Sequence, residues 1–217
     1  LVEAGDNTIL FDTGTNPDIL DHNAKELGVD LSSVDMVVLS HIHTDHTGGL
    51  NYVLEQVEDI PVYFPAAFPE EYEDGIERQR NRPVRVDTSL RIADQVYITG
   101  DISGPVHEQS LIIESEKGLV IITGCSHPGI ITMIEKSREA VSGDLYLVAG
   151  GFHLMRHSAD EVKEIIARMR DMGVRKCGAS HCTGDAAIAL FREEFGDEYV
   201  ALGTGRVLHI PDNGEKD

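Results

Sequence analysis

His41-Ile42-His43-Thr44-Asp45-His46 places three imidazoles and one carboxylate within six positions. The apolar run Met36-Val37-Val38-Leu39 precedes this segment, and the breaker cluster Thr47-Gly48-Gly49 follows it. If residues 36–43 are extended, His41 and His43 project from the same side, because strand side chains repeat every two residues. Asp45 and His46 then fall where the glycines make the chain turn. One loop can thus offer two ligands to one metal ion and two to a second ion beside it. An apolar strand has no other use for so many polar groups, since each one buried without a partner costs free energy.

Three further histidines repeat a single arrangement. His127 follows an expected strand at Leu119–Thr123, in Gly124-Cys125-Ser126-His127-Pro128-Gly129. His153 follows Leu145–Ala149, in Gly150-Gly151-Phe152-His153, and His181 follows Arg175–Ala179, in Ser180-His181-Cys182-Thr183-Gly184. Each is a strand, then a small-residue turn carrying histidine, then a helix. In layered α/β folds such strand ends gather on one edge and build the site. A hydrolytic dinuclear centre needs about three protein ligands per ion plus a water. His41, His43 and His127 can serve one ion, and Asp45, His46 and His181 the other. His153 is left over as a proton donor, a substrate contact or a further ligand; Asp45 and His153 are the expected catalytic groups. Cys125 reads either as a small buried thiol or as an additional soft ligand. Asp12 reads either as a turn cap in Asp12-Thr13-Gly14 or as the carboxylate that fixes a ligand imidazole's tautomer from behind. His22, His107, His157 and His209 have no comparable setting and are taken as bystanders.

The elements that must position these residues alternate along the chain. Thr8–Phe11 predicts a strand, and Pro17–Leu27 a helix with Asn16 as N-cap and Gly28 as its stop. Val34–Ser40 predicts a buried strand, residues 49–57 a helix, and Ile60–Phe64 a strand. Residues 65–105 read as an irregular excursion with a small hairpin at Leu90–Ile92 and Val96–Thr99. Within it, Arg78, Arg80, Arg82 and Arg85 fall inside eight positions. They suit recognition of a substrate phosphate, or else pair with the neighbouring acidic residues. Ser110–Glu114 and Leu119–Thr123 predict a hairpin about Ser115-Glu116-Lys117-Gly118. Helices are expected at residues 129–140, at residues 159–172 capped by Ser158 and closed by Gly173, and at residues 185–195. A last strand is expected near Val207–Ile210. With no repeat or linker, residues 1–217 read as one α/β domain.

The chain carries 18 Lys+Arg against 38 Asp+Glu, a formal net charge of −20. Such a surface repels phosphate backbones and anionic lipid, so neither nucleic acid nor membrane is an expected partner; a small-molecule substrate is. The three cysteines contain no CxxC pair, which favours a reducing, cytoplasmic setting. No signal-peptide layout opens the chain. Oligomeric state leaves no mark in the sequence.

Thr8-Ile9-Leu10-Phe11-Asp12-Thr13-Gly14 followed by Leu39-Ser40-His41-Ile42-His43-Thr44-Asp45-His46-Thr47-Gly48-Gly49 resembles the metallo-β-lactamase superfamily. The later segments 124–129, 150–154 and 180–184 resemble one branch of it, the metal-dependent hydrolases grouped with the methanopterin-linked dihydropterin ribofuranosyl-aminobenzene phosphate synthase. The resemblance implies an αββα sandwich, here with its first strand trimmed away, and a dinuclear site at one sheet edge. It implies metal-ligand roles for His41, His43, Asp45, His46, His127 and His181, with two divalent ions, zinc first and manganese or iron as alternatives. Many hydrolases of this superfamily place a metal-bridging Asp where this chain has Cys125. The implied activity is hydrolysis of a phosphorylated or ester-type small molecule by metal-activated water. The alternatives are a synthase or lyase step in pterin-cofactor assembly and a non-catalytic metal-binding protein.

Overall fold

The computed structural model describes residues 1–210. Its first sheet contains β1 (Val2–Ala4), β2 (Asn7–Phe11), β3 (Met36–Val38), β4 (Pro61–Pro65) and β5 (Arg82–Val86), side by side in that order. β1 runs antiparallel to β2, and the remaining pairings are parallel. The second sheet contains β6 (Leu90–Ala93), β7 (Val96–Ile98), β8 (Leu111–Ser115), β9 (Gly118–Thr123), β10 (Leu145–Gly151) and β11 (Lys176–Ser180). Its spatial order is β11-β10-β9-β8-β7-β6, parallel among β9, β10 and β11 and antiparallel elsewhere.

Side-chain alternation sorts the apolar residues into layers. Ile9, Met36 and Val38 point between the sheets and meet Val96, Ile98 and Leu111 of the second sheet. Their neighbours Leu10, Val37 and Leu39 point outward, where α1 (Pro17–Leu27), α3 (Leu50–Leu54) and α4 (Glu70–Arg78) cover them. A strand buried on both faces reads as a continuous apolar run, which is how residues 36–39 read. On the far side, α5 (Ile130–Ala140), α6 (Ala159–Asp171) and α7 (Asp185–Phe195) pack Met133, Ile166 and Phe191 against Ile112, Ile121 and Val148. The result is helices, sheet, sheet, helices, the αββα arrangement.

Local signals act as expected where they are strong. Asn16 caps α1 by accepting from the Asp18 N–H at 2.7 Å, and Gly28 ends the helix in the left-handed conformation at φ 68°. Ser158 and Glu161 form a reciprocal capping box on α6. Three expectations need correction. Residues 65–105 are not an irregular excursion: they hold α4 and β5 besides the hairpin. β5 pairs only with β4, and as an edge strand it tolerates Pro83, which donates no N–H to a ladder. The helix expected at residues 49–57 is shorter, α3 at Leu50–Leu54, and a separate helical turn, α2 (Thr44–Thr47), precedes it where only a turn was expected; between the two, Gly48 and Gly49 lie against the backbone of Thr15 and Thr13, where a Cβ would come within 2.1 and 2.3 Å. Val207–Ile210 forms no strand. Leu208 and Ile210 instead rest on Val120, Leu147 and Ala149, gaining burial without joining a ladder.

Candidate metal centre

Five parallel strands deliver the site at their carboxyl ends. Asp12 follows β2, and the His41–His46 segment follows β3. Cys125 and His127 follow β9, His153 lies two residues beyond β10, and His181 directly follows β11. Four non-glycine residues at these turns adopt positive φ: Asp12 (60°), Ser126 (61°), His153 (54°) and His181 (51°). Such conformations are uncommon for side-chain-bearing residues and gather where a fixed geometry matters.

The six expected ligands do come together. His46 Nε2 lies 3.2 Å from His181 Nε2, 3.5 Å from Asp45 Oδ2 and 3.4 Å from Cys125 Sγ. Asp45 Oδ2 is 3.3 Å from His181 Nε2. Two nitrogens bound tetrahedrally to one zinc ion at ~2.05 Å would be roughly 3.3 Å apart, so these spacings fit a shared cation. Beside this group, ligand atoms of His41, Cys125 and His127 lie within 4.8 Å of one another. His43 Nδ1 meets His41 Nε2 at 3.1 Å, and the His43 and His127 ring centres are 4.7 Å apart. Cys125 belongs to both groups. It is 3% exposed, and among the described residues its sulfur is the donor the two groups share.

The hydrogen bonds behind the imidazoles settle which nitrogen faces inward. Asp12 Oδ2 accepts from Ser40 Oγ at 2.7 Å and from His46 Nδ1 at 2.6 Å, while its Oδ1 accepts from the Ser40 N–H at 2.7 Å. Ser40 Oγ has thus committed its proton to Asp12, so its 2.9 Å contact with His41 Nδ1 must be accepted from that ring. Both rings are held as Nδ1–H tautomers, with the Nε2 lone pair turned toward the cluster. One carboxylate orients one imidazole in each group. Of the two roles open for Asp12, the contacts follow the one behind the imidazoles: its carboxylate bonds Ser40 and His46, residues outside the Asp12-Thr13-Gly14 turn.

Charge agrees with this geometry. Burial, then the neighbouring rings of His46, His127 and His43, pushes the His41 pKa down to about 2. Burial, with His153 and His43 alongside, lowers His127 to about 4. Both are therefore neutral near pH 7 with lone pairs available. For His46, burial opposes the charged form, but the hydrogen bond and charge of Asp12, aided by Asp45 and Glu108, outweigh it and raise the pKa. The side-chain hydrogen bond with Cys182, and then burial, push the Cys125 thiol up. His127 Nε2 is enclosed and has no hydrogen-bond partner. An orphaned ring nitrogen, two inward lone pairs and a carboxylate converging on one sulfur form a donor set that fits divalent metal ions.

Sequence reading missed the residue that holds the β9 turn. Glu108 is fully buried. Its Oε1 accepts from the N–H groups of Cys125 and Ser126 and its Oε2 from that of His127, each at 2.8 Å. The next residue, Gln109, donates to the Leu39 carbonyl at 2.8 Å, tying the same segment to the exit of β3. A Glu-Gln-Ser run leading straight into the apolar strand β8 was the available signal. His107 is occupied by Asp101 at 2.6 Å, as a bystander should be.

Of the two readings open for the arginines, pairing with acidic neighbours describes three of the four. Arg80 pairs with Glu58 at 3.3 Å and Arg82 with Asp59 at 3.0 Å. Arg85 donates to Glu73, to the Ala66 carbonyl at 2.9 Å and to the Phe68 carbonyl. These three answer acidic and backbone groups around α4 and β5. Arg78 alone of the four has no ion pair among the described residues; it lines a cavity of about 300 Å³ with Thr47, Asn51 and Tyr72. No helix among the described residues is long and apolar enough to cross a membrane.

Comparison with known proteins agrees with the fold. Residues 1–165 match the family model of the metallo-beta-lactamase superfamily. A Methanocaldococcus jannaschii protein named 7,8-dihydropterin-6-methyl-4-(beta-D-ribofuranosyl)-aminobenzene-5'-phosphate synthase is 32% identical over 246 aligned residues, 92% of this chain and 83% of the relative. A second, uncharacterized M. jannaschii protein is 30% identical, over 97% of this chain and 91% of its own length. Among solved structures, Tm1679, a metal-dependent hydrolase of the beta-lactamase superfamily, superposes with a TM-score of 0.79 at 26% identity, covering 97% of this chain and 94% of that one. With three-quarters of its length matched by the family model, the chain belongs to the metallo-β-lactamase superfamily.

Proposed function

We propose that the protein is a metal-dependent hydrolase of a phosphorylated or ester-type small molecule, working at the edge where β2, β3, β9, β10 and β11 end. The observation that supports it most is the pair of donor groups that share the Cys125 sulfur, with the Nε2 atoms of His41 and His46 facing inward. His41, His43 and His127 would hold one divalent ion, and Asp45, His46 and His181 the other, with Cys125 between them. Ions held there supply Lewis acidity and lower the pKa of a water toward neutrality, zinc being the ion the donors suit best. The protein's own contributions are orientation and proton transfer. Asp12 and Ser40 keep the ring tautomers fixed, and Glu108 holds the turn carrying Cys125 and His127. His153, exposed and with its ring centre 4.4 Å from that of His127, is placed to give a proton to a leaving group. Arg78, beside Thr47 in the adjoining cavity, is the side chain available to a substrate phosphate.

A second reading is favoured by the 32% identity to the pterin-linked synthase over most of both chains: the same centre could join a dihydropterin to a ribofuranosyl-aminobenzene phosphate. One experiment separates the two. Zinc-loaded protein is offered phosphomonoesters, phosphodiesters and thioesters, and in parallel an activated 6-methyl-dihydropterin with ribofuranosyl-aminobenzene phosphate. Hydrolysis lost on Asp45→Ala supports the first reading, and a coupled product seen by mass spectrometry supports the second. Neither product, with both ions bound, would leave metal binding as the function and remove the hydrolase reading.

A further inference from the structure

Ligand counting leaves Cys182 without a task, yet its sulfur is placed at the centre. It directly follows His181, and its Sγ lies 3.5 Å from the Cys125 carbonyl oxygen. The sulfurs of Cys125 and Cys182 and a ring nitrogen of His153 all lie within 4.8 Å of one another. The backbone makes room for this trio. A Cβ on Gly151 would stand 2.4 Å from the Gly124 carbonyl oxygen and 2.7 Å from Cys182 Sγ, so glycine at that position admits both the turn that carries Cys125 and the Cys182 sulfur. His153 reaches the trio from a left-handed backbone, φ 54°, that histidine seldom adopts.

We propose that Cys125, Cys182 and His153 form a separate seat for a soft, thiophilic cation of the zinc and cadmium class. Two thiolates and an imidazole select such ions over magnesium, calcium or manganese, which prefer oxygen ligands. Binding forms two metal–sulfur bonds and one metal–nitrogen bond and releases the two thiol protons to solvent; no electron is transferred. Because Cys125 is common to all three donor groups, an ion in this seat takes or bridges the sulfur shared by the other two. It also occupies the His153 ring. The third cysteine, Cys177, lies in the helix-covered core and offers an internal control.

The test is a cadmium titration of the reduced, full-length protein, read by sulfur-to-cadmium charge-transfer absorption, with circular dichroism to confirm folding. The expected result is a saturable band that falls by about half in Cys182→Ser, with one of two sulfur donors gone, and vanishes in the Cys125→Ser/Cys182→Ser double variant. His153→Ala should keep the band but weaken cadmium binding, and Cys177→Ser should change nothing. A full band in Cys182→Ser would overturn the proposal. Should that variant fail to fold, cadmium affinity unchanged in His153→Ala would overturn it equally. Asp45→Ala should retain the band while abolishing turnover, so failure of the hydrolase reading and failure of this seat register separately.

Discussion

Replacing Asp12 by Asn tests the orientation argument at its most specific point. The substitution keeps size, and Asn tolerates the left-handed backbone that Asp12 adopts at φ 60°. It also keeps an acceptor for the Ser40 N–H, now at 2.7 Å from Oδ1. What changes is the other atom: an NH2 group replaces the oxygen that accepts from both Ser40 Oγ and His46 Nδ1. A donor there forces His46 Nδ1 to accept, which moves the ring proton to Nε2 and points it at Asp45, Cys125 and His181. It likewise turns the Ser40 hydroxyl proton toward His41 Nδ1, which moves the His41 proton to Nε2 as well. Partners behind metal-binding histidines are typically worth 10–100-fold in affinity, about 1.4–2.7 kcal/mol, and here one carboxylate serves an imidazole in each group. Asp12→Asn should therefore weaken both ions by roughly that factor, measured by competition with a chromophoric chelator. Ser40→Ala, which cuts only the branch to His41, should weaken one ion and spare the other. Wild-type affinity for both ions in Asp12→Asn would refute the tautomer reasoning.

Glu108→Gln keeps an acceptor for two of the three backbone N–H groups but sets a donor against that of His127; the unsatisfied buried group costs about 1–3 kcal/mol. Thermal unfolding should shift down by roughly 2–10 °C, with metal affinity reduced, and an unchanged midpoint would deny Glu108 its role in holding the turn. His153→Ala should keep the two nitrogen-rich groups loaded while turnover falls by roughly 10²–10⁴-fold; loss of those ions from folded protein would make His153 their ligand instead. For pH, the pKa values of His41 and His127 are depressed to about 2 and about 4 from 6.5, so the stability they contribute is present above pH 6.5 and is lost as pH falls toward 4. The raised His46 acts in the opposite sense, contributing below its ordinary value and losing that contribution as pH rises, but it is one ring against two. Metal-free protein at high ionic strength should thus unfold more readily at pH 4 than at pH 7, and a flat profile would contradict the neutral-ring assignment. Arg85→Ala should destabilise by about 1–3 kcal/mol through the stranded carbonyls of Ala66 and Phe68, whereas Arg80→Ala and Arg82→Ala should cost under about 1 kcal/mol in chemical denaturation.

The sequence by itself determined what repeats locally. The apolar runs at 36–39 and 119–123 declared strands, the first of them buried, and Asn16, Pro17, Gly28 and Ser158 declared helix ends, because these signals act within a few residues. The His41–His46 spacing and the recurrence of strand, small turn and histidine at 127, 153 and 181 were enough to name the six residues that converge. Their agreement rests on one rule, that parallel strands ending together present their loops together. Tertiary structure decided what depends on distant partners. β5 was hidden because an edge strand with a proline and alternating arginines carries little burial signal until β4 is beside it. Glu108 was hidden because a buried carboxylate looks like any surface one until the N–H groups of Cys125, Ser126 and His127 are brought to it from 17 to 19 residues away. The arginines were open to phosphate recognition or to acidic pairing, and only packing showed three of them bound to neighbours. The tautomers of His41 and His46 depend on Asp12 from another strand, and the place of Cys182 beside Cys125 depends on a missing Cβ at Gly151. Sequence reports the chemical types present; which proton faces which lone pair is fixed only when strands separated along the chain are brought edge to edge.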